Sequence, residues 1–358
     1  MVPILDCKRQ YEALKVELDR AISGVLASGW FVLGREVAAF EEEFAAWCGA
    51  RFCVGVGSGL DALELSLRAL GIGRGKRVLC PANVIFGPIA AERAGAEVVL
   101  CDVNDETGLM KTPDIAGSVD AVIPVHLYGQ MADMREISAF AESAGAKVIE
   151  DACQAHGASL CGRKAGTWGD IGCFSFYPSK NLGAFGEGGA ILTNDEGLRD
   201  TICELRNYGK SSRYEHRLRG TNARLDEMQA AILRVKLRRL NEWNERRREI
   251  AERYRAAFRE APIKCIETLS DREHAWHLFV VRTPERDRLR NHLENRGIGT
   301  QIHYPIPVHL QPAFADLGFR AGSFPTCERF CGEILSLPLF PELEESEIRQ
   351  VIDAVNEW

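Results

Sequence analysis

Two residues in this chain have the types and the setting to do covalent chemistry together. Lys180 lies in the segment Ser175-Phe176-Tyr177-Pro178-Ser179-Lys180-Asn181-Leu182-Gly183, with Gly186, Gly188 and Gly189 behind it. Upstream, the apolar run Val148-Ile149 ends in Glu150-Asp151. A lysine in an apolar, glycine-rich turn is unusual, because lysine is seldom buried without a role. Desolvation lowers its pKa, which makes it both a nucleophile and a proton carrier. A carboxylate to hold a pyridinium nitrogen and an amine to form a Schiff base are the two groups that pyridoxal 5′-phosphate (PLP) requires. The pair points to PLP chemistry. Taken singly, each residue has a plainer reading: Lys180 as a surface loop lysine, and Asp151 as a helix N-cap after a strand.

Other residues fit around such a cofactor. Gly57-Ser58-Gly59 joins a strand-like run to a helical one. Backbone N–H groups at a glycine-rich helix N-terminus bind phosphate, although Gly-Ser-Gly turns are common without that use. Ser175 adds a hydroxyl from the run preceding Lys180. Gln154 either completes a capping box with Asp151 or hydrogen-bonds the phenolic oxygen of the cofactor. His156 divides evenly between a core histidine and a wall of the site.

The elements that must position these groups alternate. Helical periods cover 11–26 and 36–47, and strand-like runs at 52–56, 77–80, 97–102, 119–124, 147–151, 171–176 and 190–193 are interleaved with helices near 60–70, 88–94 and 134–144. This alternation predicts an α/β fold with a mainly parallel sheet covered on both faces. A ligand in such a sheet sits beyond the carboxyl ends of the strands, where Asp151 falls. One long helix is expected from 226 to 258, then a smaller α+β unit with strands at 278–281 and 299–303, a helix near 286–297 and terminal helices. A break near Pro262 divides a large PLP-binding domain, 1–260, from a small C-terminal domain, 261–358.

At 358 residues the chain exceeds what one hydrophobic core usually supports. Its 46% hydrophobic and 27% charged residues are ordinary for a soluble globular protein. A net charge of −7 argues against nucleic acid as a partner. The basic run 234–255 is interleaved with Leu237, Leu240, Trp243, Ile250 and Tyr254, the pattern of an amphipathic helix with a solvated basic face. The N-terminus shows no basic flank before an apolar core, and no apolar stretch is long enough for a membrane helix. The twelve cysteines are scattered singly without metal-ligand spacing, as free thiols in a reducing cytoplasm would be. No metal is expected.

The ordered motifs resemble those of the DegT/DnrJ/EryC1/StrS sugar aminotransferases. They are Gly57-Ser58-Gly59-Leu60-Asp61-Ala62-Leu63, Glu150-Asp151-Ala152-Cys153-Gln154-Ala155-His156-Gly157 and the stretch 175–189. Gly220-Thr221-Asn222-Ala223-Arg224-Leu225-Asp226-Glu227 and Gly297-Ile298-Gly299-Thr300-Gln301-Ile302-His303-Tyr304-Pro305 extend the likeness over nearly the full length. The resemblance implies the aspartate aminotransferase (type I) PLP fold and a homodimer with shared active sites. By motif, Lys180 matches the Schiff-base lysine, Asp151 the pyridinium partner and Gln154 the residue at the phenolic oxygen. Ser58, Gly59 and Ser175 match phosphate ligands, and Asn222 matches an asparagine that reaches the phosphate of the neighbouring subunit.

Two departures stand out. Where the family reads Pro-x-x-Thr-aromatic, this chain has Pro81-Ala82-Asn83-Val84-Ile85-Phe86, so Ile85 replaces the stacking aromatic unless Phe86 takes its place. Glu187 stands where the family often has Asp.

The activity implied is transfer of an amino group from L-glutamate to a keto-sugar on a nucleotide diphosphate. The likeness is greatest to members that aminate C3 of a dTDP-3-keto-6-deoxyhexose, as for desosamine and mycaminose; amination at C4 is the alternative. Arg213, Tyr214, His303, Tyr304 and His309 are candidates for the nucleotide or sugar, each weighed against a surface or packing role. A sugar 3-dehydratase would carry histidine in place of Lys180. A non-catalytic sensor of this fold would have no need of the Asp151–Lys180 pair.

Overall fold

The computed structural model describes residues 1–113 and 118–358. Among the described residues, nine strands fall in the first part of the chain: β1 (Phe52–Val56), β2 (Arg77–Pro81), β3 (Glu97–Cys101), β4 (Ala121–Val122), β5 (Lys147–Asp151), β6 (Ser159–Leu160), β7 (Arg163–Lys164), β8 (Ile171–Ser175) and β9 (Gly189–Thr193). Among the described residues, seven of them form one sheet in the order β1-β9-β8-β5-β4-β2-β3. The pairs from β3 through β2, β4 and β5 to β8 are parallel, as expected. β9 runs antiparallel to both β8 and β1.

That reversal is what exposes the lysine. Ser175 and Gly189 are cross-strand partners, so the chain leaves and re-enters the sheet at one point. Everything between them, Lys180 included, is held beyond the carboxyl end of β8. Gly189 also permits a close approach: a Cβ there would lie 2.3 Å from the carbonyl oxygen of Ser58. The Ser58 turn is thereby seated against the start of β9.

Both faces of the sheet are buried, which is why its strands read as almost continuous apolar runs. Along β8 and just beyond it, Phe174 and Phe176 face one core with Phe40 and Phe44, while Ile171 and Cys173 face the other with Leu63 and Ile149. The helices Arg35–Cys48 and Gly59–Ala69 cover opposite faces through these contacts.

Later in the chain come β10 (Lys264–Cys265), β11 (Arg272–Glu273), β12 (Phe279–Arg282) and β13 (Ile334–Leu337). β10, β12 and β13 make an antiparallel sheet, and β11 joins β6 and β7. The third strand of the small sheet is therefore β13, in a stretch expected to be helical, and not 299–303. That segment makes one isolated bridge, Gln301 with Ser336, and Ile298 just before it bridges Val2. The expected long helix is two helices, Glu227–Leu237 and Leu240–Ala257. Arg238 and Arg239 keep near-helical backbone angles, so a shallow kink marks the division. It lets Leu233 and Leu237 pack under the large sheet while Ile250 and Tyr254 pack with the small one. The N-terminal helical period likewise splits into Cys7–Ala13 and Lys15–Ser28.

The end of β5 is fixed by a buried carboxylate. Glu150 is fully buried and accepts N–H groups from Gly166, Trp168 and Gly169 at 2.9, 2.5 and 2.7 Å. His126 Nε2 lies 2.8 Å from it, and Ala132 N–H donates to His126 Nδ1, so Nε2 carries the proton and donates. Removing this acceptor strands four donors, two of them fully buried. The substitution Glu150→Ala is expected to lower unfolding free energy by about 3 kcal/mol. Urea denaturation should show this as a lower midpoint with an unchanged slope, and a loss under about 1 kcal/mol would contradict it.

Candidate active site

A cavity of about 670 Å³ opens beyond the ends of β5 and β8, and Asp151, Ser175 and Lys180 line it with Ser58, Gly59 and Gln154. Each arrives by a local device. Asp151 continues β5, and pairing of its backbone with the 124–126 segment holds it: its N–H donates to Pro124 O at 2.9 Å, and its carbonyl accepts from His126 N–H at 3.0 Å. Because successive strand residues point to opposite faces, Glu150 goes inward and Asp151 to the cavity. Asp151 Oδ1 accepts the N–H of Cys153 at 3.1 Å.

Lys180 sits in a turn in which its N–H donates to Tyr177 O at 2.9 Å. Gly183 lets the turn fold back, since a Cβ there would be 2.4 Å from Pro178 O. Asn181 anchors the same turn: its Nδ2 donates to Asn244 Oδ1 (2.9 Å) and Ala275 O (2.7 Å). Burial lowers the Lys180 pKa, with the nearby Cys153 and Asp151 opposing it. The neutral, nucleophilic amine is favoured accordingly.

Ser58 caps the helix Gly59–Ala69, accepting Asp61 N–H at 3.1 Å and lying 2.9 Å from Asp61 Oδ2. Among the described residues the N–H groups of Gly59 and Leu60 have no acceptor, and both residues line the cavity. Gly59 packs against Ser175, where a Cβ would be 2.7 Å from the serine Cβ. Two hydroxyls and a helix N-terminus thus converge, a donor set suited to a phosphate. Gln154 Oε1 accepts Tyr128 N–H at 2.8 Å, which turns Nε2 toward Tyr304 Oη at 3.4 Å. An amine, a carboxylate, a phosphate cradle and an amide donor on one cavity are what PLP needs, and these residues fit it.

His303 and Tyr304 also line the cavity. Burial and the charge of Lys180 hold His303 down to about 4, so it is neutral, and burial pushes Tyr304 up to about 12. Four other candidates are elsewhere. Arg213 and Tyr214 are exposed on a loop with the guanidinium over the tyrosine ring, and Asn222 is exposed beside Asn207. None of the three reaches this chain's own cavity. His309 is buried 2.9 Å from Glu328 and is a packing residue. His156 is a core histidine too, set against Phe174 and Phe176 and held by burial down to about 3.

The structure resolves the Ile85 departure. Ile85 packs into the core beneath the sheet, and Phe86 lines the cavity with its ring 6.0 Å from that of Tyr304. Sequence reasoning missed Ile4, Leu5, Tyr177, Glu187 and Gln301 as lining residues. Gln301 lay inside a quoted motif; Ile4 and Leu5 carried no chemical signal, and the pairing of Val2 with the 297–299 segment brings them here.

A lysine and an aspartate facing one cavity at the carboxyl ends of a mainly parallel sheet define a PLP-dependent transferase of the aspartate aminotransferase type. The family model described as the DegT/DnrJ/EryC1/StrS aminotransferase family matches residues 12–356, and the chain belongs to that family. It is 46% identical over 363 residues to the dTDP-3-amino-3,4,6-trideoxy-alpha-D-glucose transaminase of Streptomyces venezuelae, covering 100% of this chain and 96% of that one. It is 48% identical over 360 residues to the erythromycin biosynthesis sensory transduction protein EryC1 of Saccharopolyspora erythraea, covering 98% of each. The crystal structure of S. venezuelae DesV in complex with a ketimine intermediate superimposes with a TM-score of 0.96 at 46% identity, over 100% of this chain and 98% of that one. The cofactor is pyridoxal 5′-phosphate.

Two predictions follow from the wall and the amine. Phe86→Ala should weaken PLP binding about tenfold in a fluorescence titration while leaving stability nearly unchanged. Ile85→Ala should do the reverse, costing about 1–2 kcal/mol of stability at unchanged PLP affinity. If Ile85→Ala were the variant that lost PLP, the assignment of the two side chains would be wrong. For Lys180, only the neutral amine attacks and burial disfavours the ammonium. PLP capture by the apoprotein should therefore accelerate with rising pH and level off below pH 10.5, the ordinary lysine value. A plateau at or above that value would refute the lowered pKa.

Proposed function

We propose that this chain transfers an amino group from L-glutamate to the C3 carbonyl of a dTDP-linked 3-keto-6-deoxyhexose. The observation that carries the reading is Lys180 and Asp151 on one cavity beside a phosphate cradle. Likeness to the S. venezuelae transaminase along the whole chain supports C3 over C4. Bound PLP supplies a carbonyl that takes up the amino group and a ring that withdraws electrons from the carbon losing a proton. Asp151 holds a proton on the ring nitrogen by a charge-assisted hydrogen bond. Lys180 Nζ, after yielding its place to the incoming amine, takes the proton from the donor α-carbon and later returns one to the sugar carbon. Ser58, Ser175 and the N–H groups of Gly59 and Leu60 hold the phosphate, and Gln154 Nε2 donates to the ring oxygen. Neutral His303 and Tyr304 offer uncharged hydrogen bonds to the sugar.

The remaining parts of the reading are a homodimer in the cytoplasm and a division into domains 1–260 and 261–358. In the dimer, exposed Asn222 completes the partner's phosphate site, and Arg213 and Tyr214 serve the partner's nucleotide. Exposed Trp30, Phe31 and Phe185 favour such burial between subunits. Among the described residues, no helix is long and apolar enough to cross a membrane. The name of EryC1 favours a second reading, a sensor that binds PLP without turnover.

The absorption spectrum decides between the two. L-glutamate should convert the PLP band of the purified protein to the amine form, and a dTDP-3-keto-6-deoxyhexose should restore it. A 4-keto isomer should restore it at least tenfold more slowly, and Lys180→Ala should abolish the cycle. A PLP band that ignores every amino donor would establish the sensor instead.

A further inference from the structure

Beside the main cavity lies an annex of about 100 Å³ that shares Gln154, Lys180, His303 and Tyr304 with it and is closed by Arg247 and His277. We infer that Arg247 holds a carboxylate of the amino donor there, so that the annex is the binding site for amino acids and 2-oxo acids. This rests on the aminotransferase reading above and names a residue that reading leaves out.

Four arginines are buried among the described residues: Arg206, Arg247, Arg272 and Arg282. Arg206 pairs with Glu41, Arg272 with Asp271 and Arg282 with Glu333. Arg247, 3% exposed and the most buried of the four, has no carboxylate within 4 Å among the described residues. A buried cation without an anion is costly, and proteins seldom keep one unless something else supplies the charge. The carboxylate whose field reaches it most is Glu342, half-buried and beyond ion-pair distance, its own pKa raised by burial. Burial brings Arg247 down to about 10, so it stays charged at neutral pH.

The guanidinium is also aimed. Nη1 donates to three carbonyls from two segments, Trp276 O at 3.2 Å, His277 O at 3.4 Å and Leu339 O at 2.8 Å. Nη2 makes no hydrogen bond among the described residues, Nε is unpartnered but buried, and the residue forms part of the annex wall. Nη1 is thus fixed by backbone while Nη2 remains to donate to a carboxylate oxygen, a charge-assisted hydrogen bond. His277 does not compete as a cation. Its Nδ1 lies 3.1 Å from the Oδ1 of Asn181, an amide whose Nδ2 is committed to two acceptors, so Nδ1 donates. Burial drives its pKa well below the usual value. Arg247 is therefore the standing cation of the annex, and Lys180, the other basic group there, is the amine that the reaction itself uses. The annex has room for a carboxylate, and its shared wall leaves it next to the amine of Lys180.

The test uses PLP-loaded enzyme and calorimetric titration with 2-oxoglutarate, next to the keto-sugar KM. In Arg247→Met the 2-oxoglutarate Kd should rise at least tenfold, with the sugar KM and the PLP band unchanged. Arg247→Lys, which keeps the charge and can still bond the carbonyls, should fall between; it serves if the methionine variant does not fold. An unchanged Kd in either folded variant overturns the proposal, as does equal loss of sugar and oxo-acid affinity, which would mark Arg247 as a structural staple only. Arg247-dependent binding of 2-oxoglutarate by a wild type that aminates no keto-sugar would leave this inference standing and remove the sugar reading instead.

Discussion

The site depends on a division of labour between two adjacent carboxylates at the end of β5. A strand sends successive side chains to opposite faces, so Glu150 and Asp151 cannot share an environment. Glu150 goes into the protein, where three backbone N–H groups and the His126 ring donate hydrogen bonds to it. Those donors belong to the 166–169 turn before β8 and to the segment after β4. One buried group therefore ties the strands on either side of β5 to its end. Asp151 is left at the cavity wall with its backbone held from both sides. Its position follows from the packing of its neighbour rather than from any bond of its own side chain across the site.

The lysine turn obeys a similar rule, with its carbonyls held from below. Lys236 is fully buried, donates to Gly183 O at 2.7 Å and is brought by burial down to about 8. Cys7 Sγ reaches Pro178 O at 3.6 Å, and Asn181 is fixed by Asn244 and Ala275. Residues 178, 181 and 183 are thus pinned while Lys180 between them points its amine into the cavity. A side chain that must lose and regain a covalent bond gains from a backbone that does not move with it.

How much of this was legible in the sequence depends on the range of the forces involved. Asp151, Ser58, Ser175 and Lys180 each stand at a strand end or helix start, and the elements bearing them form from local periodicity. Their convergence follows once the sheet is parallel, so both fold class and cofactor side could be read. The reversal of β9 could not, because an apolar run of five residues carries no sign of strand direction. The kink at Arg238–Arg239 has no proline or glycine to announce it; the demand of two cores on one helix makes it. His309 failed as a candidate because its partner, Glu328, lies on a distant helix that sequence alone does not bring near. Phe86 rather than Ile85 faces the cavity because Ile85 meets the core at the start of the helix Phe86–Ala94, a one-residue phase that motif matching cannot see.

The wall opposite the cofactor residues is assembled by long-range contacts, and that difference bears on what the site recognises. His303 Nδ1 is 2.8 Å from Ser336 Oγ on β13, its carbonyl accepts from Tyr128 Oη, and Tyr304 Oη meets Gln154 Nε2. The segment 301–304 is thus held from the small sheet on one side and from the cofactor side on the other. It makes single bridges instead of a ladder, which leaves the side chains of Gln301, His303 and Tyr304 free for the cavity. A regular strand here would satisfy more backbone bonds but would turn alternate side chains away. The irregular backbone is what allows residues so close in sequence to face one ligand. A shift of the small sheet would move all three together, so their spacing relative to Lys180 is set by the packing of β13 and not by the loop itself.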